Sequence, residues 1–307
     1  MRLKKKPRKI FILLFYTVSG SILAGPYQSE DERGFYEALH AGDRTVATNR
    51  FHNILKTPKK FQYIDEYQAE DLPIYLDTLS CENTTPDLAY AIAFIYVEEI
   101  DARYDQPHKG TTVPVSVQGR YSDGATIGIS DSVNLSSRFY ACSPDVKIQF
   151  TPHFLRAPQV KLTDIHTRPF RETGQIALNL PILANTEAKT FVEKHLDEFD
   201  FFVFVIPSEQ KGLSTASMKM FKNAEGKSAR RGIITIGIER IRVTQTLIHE
   251  IFHVLEQAAG NRVPHLYETK QKKSWPKWYT GKGQLNYYRG FLKDAWHKKG
   301  AAALKLR

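Results

Sequence analysis

The residues best suited to chemistry lie within residues 247–256, which read LIHEIFHVLE and contain the pattern H-E-x-x-H. His249 and His253 are four residues apart, so on a helix they lie one turn apart on one face and can direct both imidazoles at one ion. Histidine nitrogen binds zinc at about 2.0–2.1 Å. Glu250 follows the first histidine, where its carboxylate can take the proton of a zinc-activated water that attacks a carbonyl. The pattern therefore predicts a zinc-dependent hydrolase.

The surrounding sequence supplies the elements that must position this motif. A strand is expected over residues 232–238, and an amphipathic helix over residues 244–259, with Gly260 as its C-terminal stop. Apolar residues fill both variable positions of the motif and form one broad face of the helix. This context favours a working motif over two surface histidines.

Residues 232–260, a strand followed by the motif helix, resemble the zincin superfamily of metallopeptidases. The resemblance implies that His249 and His253 bind zinc and that Glu250 is the catalytic base. The chain departs from the metzincin pattern H-E-x-x-H-x-x-G-x-x-H, because Glu256 stands at the glycine position and Ala259 at the final histidine position. A standard metzincin is therefore excluded.

A catalytic zinc site needs a third protein ligand and an open position for water. We expect His265, just beyond the end of the motif helix, to be that ligand, with Glu268 as the alternative, as in zincins that use a glutamate from a following helix. Glu256, three residues after His253, is better placed to orient a ligand than to bind the metal. Zn²⁺ is the expected cofactor.

The first residues indicate an export signal. Six basic residues within residues 2–9 precede an apolar run over residues 10–18 that resumes at 22–24, with small residues near a candidate cleavage point. We therefore expect residues 1–24 to be a cleaved signal peptide and the mature protein to be secreted or periplasmic. The alternative is a membrane anchor formed by an uncleaved signal, although the run is shorter than the roughly 20 residues of a full span.

Charge and cysteine content add further expectations. Residues 270–307 hold eleven Lys or Arg against one acid, Asp294, so the C-terminal tail is basic. Its aromatic residues predict packing onto the domain, its charge leaves contact with an anionic surface open, and no nucleic-acid partner is expected for an exported protein. Cys81 and Cys142, the two cysteines of the chain, form one disulfide in an oxidising compartment or remain two buried thiols.

The remaining patterns predict an α+β protein. Helices are expected over residues 31–41, 86–104 and 186–196, a fully apolar strand over Phe201–Ile206, a loop over residues 208–231, and short strands over residues 111–118, 125–129, 146–150 and 175–183. This organisation gives a helical N-terminal segment (25–105), a β-rich region (106–184) and a zincin-like catalytic domain (185–307) that ends in the basic aromatic tail.

The expected function is that of a secreted zinc metallopeptidase acting on a protein or peptide substrate. The alternative is a zinc-binding secreted interaction or toxin-like module without general proteolysis. The sequence leaves the cleavage preference and the oligomeric state open.

Overall fold

The structure is a computed structural model and describes residues 29–56, 67–80, 85–108, 111–120, 129–156, 162–167, 182–207, 214–222, 225–226, 228–241, 244–259 and 283–306. Its helices are α1 (Glu30–Ala41), α2 (Arg44–Lys56), α3 (Leu72–Asp77), α4 (Ser130–Ala141), α5 (Thr186–Lys194), α6 (Ile238–Ile241), α7 (Thr244–Ala258), α8 (Gln284–Lys299) and α9 (Ala301–Leu304). Its strands are β1 (Leu88–Tyr96), β2 (Glu99–His108), β3 (Thr111–Arg120), β4 (Ile148–Arg156), β5 (Leu162–Thr167), β6 (Phe201–Ile206), β7 (Ser214–Lys222) and β8 (Ser228–Gly237). Short 3-10 turns cover Ala69–Asp71 and Ile182–Ala184.

The fold is mixed α/β and is organised around a five-stranded, mostly parallel sheet. The strand order is β4-β1-β6-β8-β7, and neighbouring strands run parallel except β7, which is antiparallel to β8. A smaller sheet, in the order β3-β2-β5, holds the β2–β3 hairpin and the parallel strand β5. The large sheet draws its strands from residues 88–237, so a long stretch of sequence must fold before this sheet is complete.

The central strand β6 shows why the large sheet is buried on both faces. Every residue of the strand is buried, as is usual for parallel strands that carry helices on each side. Phe201, Val203 and Val205 face the larger hydrophobic cluster, which includes residues of α4, α7 and α8. The alternate residues Phe202, Phe204 and Ile206 face a smaller cluster that includes α5.

Helix α7 packs closely over strand β8 because Gly232 has no side chain. A Cβ atom at this position would lie 2.5 Å from Phe201 Cδ1 and 2.8 Å from Val254 Cγ1. The apolar face of α7, including Leu247, Ile251 and Val254, is 0–2% exposed. The sheet and its larger hydrophobic cluster thus fix the helix that carries the motif.

The C-terminal segment is built into the core. Arg231 is 2% exposed and donates to the carbonyls of Leu196 and Leu306, and the Tyr90 hydroxyl donates to the carbonyl of Leu304. The expectation that aromatic residues of the basic tail pack onto the domain is confirmed for α8, where the rings at positions 287, 288 and 291 are buried.

Several predicted elements are confirmed. The helices expected over residues 31–41, 186–196 and 244–259 correspond to α1, α5 and α7, and the strand Phe201–Ile206 has the expected bounds. Asn185 caps α5 by accepting a hydrogen bond from Ala188 N at 2.8 Å. The strands expected over residues 111–118 and 146–150 correspond to β3 and β4, whereas residues 125–128 and 175–181 lie outside the described part of the chain.

Two local predictions are wrong. Residues 86–104 do not form a helix, because their apolar run lies in β1, a strand between β4 and β6 whose side chains join the two hydrophobic clusters. The loop expected over residues 208–231 contains β7 and the start of β8. Its polar composition suits β7 because this strand lies at the edge of the sheet, where Met220 is 59% exposed.

The described residues include one of the two cysteines of the chain. Cys142 is in a disulfide, and the only other cysteine, Cys81, lies outside the described residues. None of the described helices combines the length and the hydropathy that a membrane span requires.

Candidate metal centre

The two motif histidines are brought together on one face of α7. The His249 and His253 rings have centroids 4.4 Å apart and planes at 89°, and their Nε2 atoms lie 2.9 Å apart. The side chain of His253 is 18% exposed, so the pair is accessible from one side. Both Nε2 atoms therefore converge on one point at the surface of the helix.

This separation is close to what a shared zinc ion requires. Two nitrogens bound tetrahedrally at about 2.0–2.1 Å are about 3.3 Å apart, so the rings need to open by only about 0.4 Å. The two Nδ1 atoms contact other protein groups, so the Nε2 atoms are the candidate pair for a shared metal ion. The donor chemistry and the geometry of His249 and His253 thus fit two zinc ligands.

Two carboxylates flank the histidine pair. Glu250 is 4% exposed, and Glu256 Oε2 lies 3.4 Å from His253 Nδ1. Burial lowers the pKa of His253, but the hydrogen bond to Glu256 and the negative charges of both glutamates outweigh burial, so its pKa is raised above 6.5. Glu256 therefore contacts the ring of His253, as expected for a residue that orients a ligand. The charge of Glu250 contributes to the raised pKa of His253.

Helix α8 supplies contacts to the other histidine that the sequence reasoning missed. The Tyr288 hydroxyl is hydrogen-bonded to His249 Nδ1, and Gln284 Nε2 lies 3.1 Å from the same atom. The Tyr288 ring also stacks on Phe252, with centroids 4.2 Å apart. The available signal was the four-residue spacing of Gln284 and Tyr288, which places them on one face of a helix.

A buried carboxylate anchors the start of α8. Asp71, which is 0% exposed, accepts hydrogen bonds from the backbone N–H groups of Gln284 (3.0 Å), Leu285 (3.0 Å) and Asn286 (3.3 Å). Gly283 allows this approach, since it has a φ of 78° and a Cβ there would lie 2.4 Å from Asp71 Oδ1. The position of α8 at the candidate metal centre therefore depends on a residue far away in the sequence.

The predicted third ligand lies outside the described residues. Both His265 and its alternative, Glu268, fall between residues 260 and 282, for which the structure describes no placement. Among the residues that are described, no group of three or more His, Cys, Asp or Glu side chains is placed to hold a metal ion. The structure therefore brings together His249, His253 and Glu250, and the third ligand stays a prediction.

Comparison with known proteins found no relative of this chain. The chain matches no protein-family model, no curated protein and no solved structure.

Proposed function

We propose that this chain is an exported zinc-dependent peptidase in which His249 and His253 are two of the zinc ligands and Glu250 is the general base. The observation that carries the proposal is the convergence of the two Nε2 atoms, 2.9 Å apart, beside a buried glutamate on the same helix. His265 is the preferred third ligand, with Glu268 as the alternative. The zincin-like character of the fold belongs to the same proposal.

A zinc ion at this position would supply a Lewis acid that lowers the pKa of water and polarises a carbonyl. Glu250 accepts the proton of the attacking water and then donates it to the leaving amine. Glu250 is 4% exposed, so its carboxylate is largely shielded from bulk water. Glu256 holds the ring of His253, and Gln284 and Tyr288 hold the ring of His249.

The edge of the sheet supports a peptide as the substrate. On the side of β7 that faces away from β8, Met218 N donates to Gln257 Oε1 at 2.8 Å, and Ala216 O accepts from Gln257 Nε2 at 3.5 Å. Gln257 lies one helical turn beyond His253, so these backbone groups are next to the proposed metal ligands. An extended peptide that replaces Gln257 can pair with the same groups as an added strand.

Export is supported by two features. Residues 1–24 carry the basic and apolar pattern of a signal peptide. Cys142 is in a disulfide, which suits an oxidising compartment outside the cytoplasm. We propose a secreted or periplasmic location for the mature protein.

Substitution of Glu250 by Gln tests the proposed function. The change removes the base but keeps the shape of the side chain, so we expect peptide hydrolysis to fall by about 10²- to 10⁴-fold while zinc content stays at the wild-type level. Glu193→Gln is the matched control, because Glu193 is an exposed residue on α5. The readouts are metal analysis of the purified mature protein and hydrolysis of fluorescein-labelled casein.

The outcomes separate the competing functions. Loss of zinc in Glu250→Gln would make Glu250 a ligand and contradict its role as base. Zinc binding by the wild type without casein hydrolysis would favour the zinc-binding interaction or toxin-like module. Absence of zinc from the wild-type protein would refute the metal centre itself.

A further inference from the structure

A chain of buried hydrogen bonds leads from helix α3 to the first motif histidine. The Tyr75 hydroxyl donates to Gln245 Oε1 at 2.9 Å, Gln245 Nε2 donates to Gln284 Oε1 at 2.6 Å, and Gln284 Nε2 lies 3.1 Å from His249 Nδ1. Tyr75, Gln245 and Gln284 are only 1–3% exposed. Three elements that are distant in sequence thus supply one continuous polar path to the imidazole.

Burying these polar side chains costs free energy, so their presence calls for a role other than core packing. A buried amide without its hydrogen-bond partners destabilises the fold, and apolar side chains of similar size would avoid that cost. Here each group is bonded to the next, so the carboxamides and the imidazole restrict one another's orientation. Such an arrangement gives precise placement of a side chain more than it gives stability.

The direction of the chain matters for metal binding. A carboxamide keeps its shape when rotated by 180°, so the same three contacts can run in either direction. When Gln284 directs Oε1 at His249, Nδ1 carries the hydrogen and Nε2 keeps its lone pair for an ion shared with His253, as a zinc ligand requires. Tyr288 can donate or accept at Nδ1 and so suits either direction.

We propose that Gln284, held by Gln245 and Tyr75, is a positioning residue that sets the ring orientation and the tautomer of His249 for metal binding through Nε2. This inference rests on the proposed function, because it assumes that His249 is a zinc ligand. Within that function it assigns a role to the N-terminal helix α3, which bears Tyr75 and is remote from the motif in sequence.

Substitution of Gln284 by Leu removes the acceptor while keeping similar volume. We expect the zinc dissociation constant, measured with zinc against a competing chelator dye, to weaken by about 10- to 100-fold. Gln284→Glu should keep wild-type zinc affinity, because its carboxylate still accepts from His249 Nδ1–H and from Gln245. A purely structural role predicts the reverse, since a buried charge disturbs the core more than a leucine does. Gln149→Leu is the control, because Gln149 is an exposed residue on β4.

A second readout reports on the tautomer. In imidazole ¹⁵N spectra of the zinc-loaded protein, the His249 Nδ1–H signal should be the same for the wild type and Gln284→Glu and should shift and broaden in Gln284→Leu, where Tyr288 is left to accept from Nδ1. If Gln284→Leu does not fold, Tyr75→Phe, which removes only the far hydroxyl, should weaken zinc binding several-fold.

The failures can be told apart. Wild-type zinc affinity in Gln284→Leu, or in Tyr75→Phe if that variant has to be used, would overturn the positioning role and leave the proposed peptidase intact. A wild-type protein that does not bind zinc would overturn the proposed metal centre and this role together.

Discussion

The carboxyl group of Asp71 anchors helix α8 and is subject to two opposing effects. Burial favours its neutral form. The three hydrogen bonds that it accepts from backbone N–H groups favour its ionised form. Burial is the larger effect and raises the pKa of Asp71 from its ordinary value of 3.8 to about 7. Asp71→Asn tests this balance, because asparagine resembles the protonated acid and does not ionise.

The sign of the pH dependence follows from the raised pKa. Between about pH 4 and pH 7 the folded protein keeps the proton of Asp71 and the unfolded chain does not, so unfolding releases a proton. The free energy of unfolding therefore falls as pH rises towards and through 7. At 1.36 kcal/mol per pKa unit, the shift from 3.8 to about 7 corresponds to about 4 kcal/mol.

The assay is urea denaturation of wild type and Asp71→Asn at pH 5, 6, 7 and 8. We expect the wild type to lose about 2–3 kcal/mol relative to the variant between pH 5 and pH 8, because about two of the roughly three pKa units of the shift lie above pH 5. The comparison with the variant removes the contributions of all other titrating groups. A wild type that gains stability over Asp71→Asn as pH rises would show that the N–H donors and the helix terminus outweigh burial, and would refute the reasoning.

Three further substitutions or treatments test the fold and the edge of the sheet. Gly232→Ala should lower the free energy of unfolding in urea by about 1–3 kcal/mol, because its Cβ would lie 2.8 Å from Val254 Cγ1; an unchanged midpoint would contradict the close packing of α7 on β8. Gln257→Ala should raise the hydrogen-exchange rate of the Met218 amide about fivefold and leave the β7 amides that are bonded to β8 unchanged; equal protection would show that the side chain does not cover this edge. Reduction of the disulfide at Cys142 should cost about 4 kcal/mol in thermal unfolding, as the chain-entropy model gives for a loop of about 60 residues, and no change on reduction would contradict that role.

Some residues of the candidate metal centre could be predicted from the sequence, and others could not. His249, Glu250 and His253 could be named in advance, because the spacing of ligands within one helix is local geometry. Gln284, Tyr288 and Asp71 could not be named in advance, because their contacts join segments far apart in the chain. No periodicity within either segment encodes which segments meet.

The errors in secondary structure have the same origin. Residues 86–104 carry apolar residues near helical spacing, yet Leu88–Tyr96 is a strand because β4 and β6 pair with both of its edges and its side chains join the two hydrophobic clusters. Conversely, β7 reads as a loop because an edge strand can expose polar residues on one side.

By itself, the sequence determined those features in which neighbouring residues act on one another: the motif helix α7, the apolar strand β6 and the cap of α5 at Asn185. Tertiary structure alone decided that Tyr75 and Gln284 meet Gln245, that Gln284 reaches His249, and that β1 is a strand. The physical reason is that propensity and spacing act within one or two turns of chain. Burial and hydrogen-bond partners depend instead on packing between distant segments.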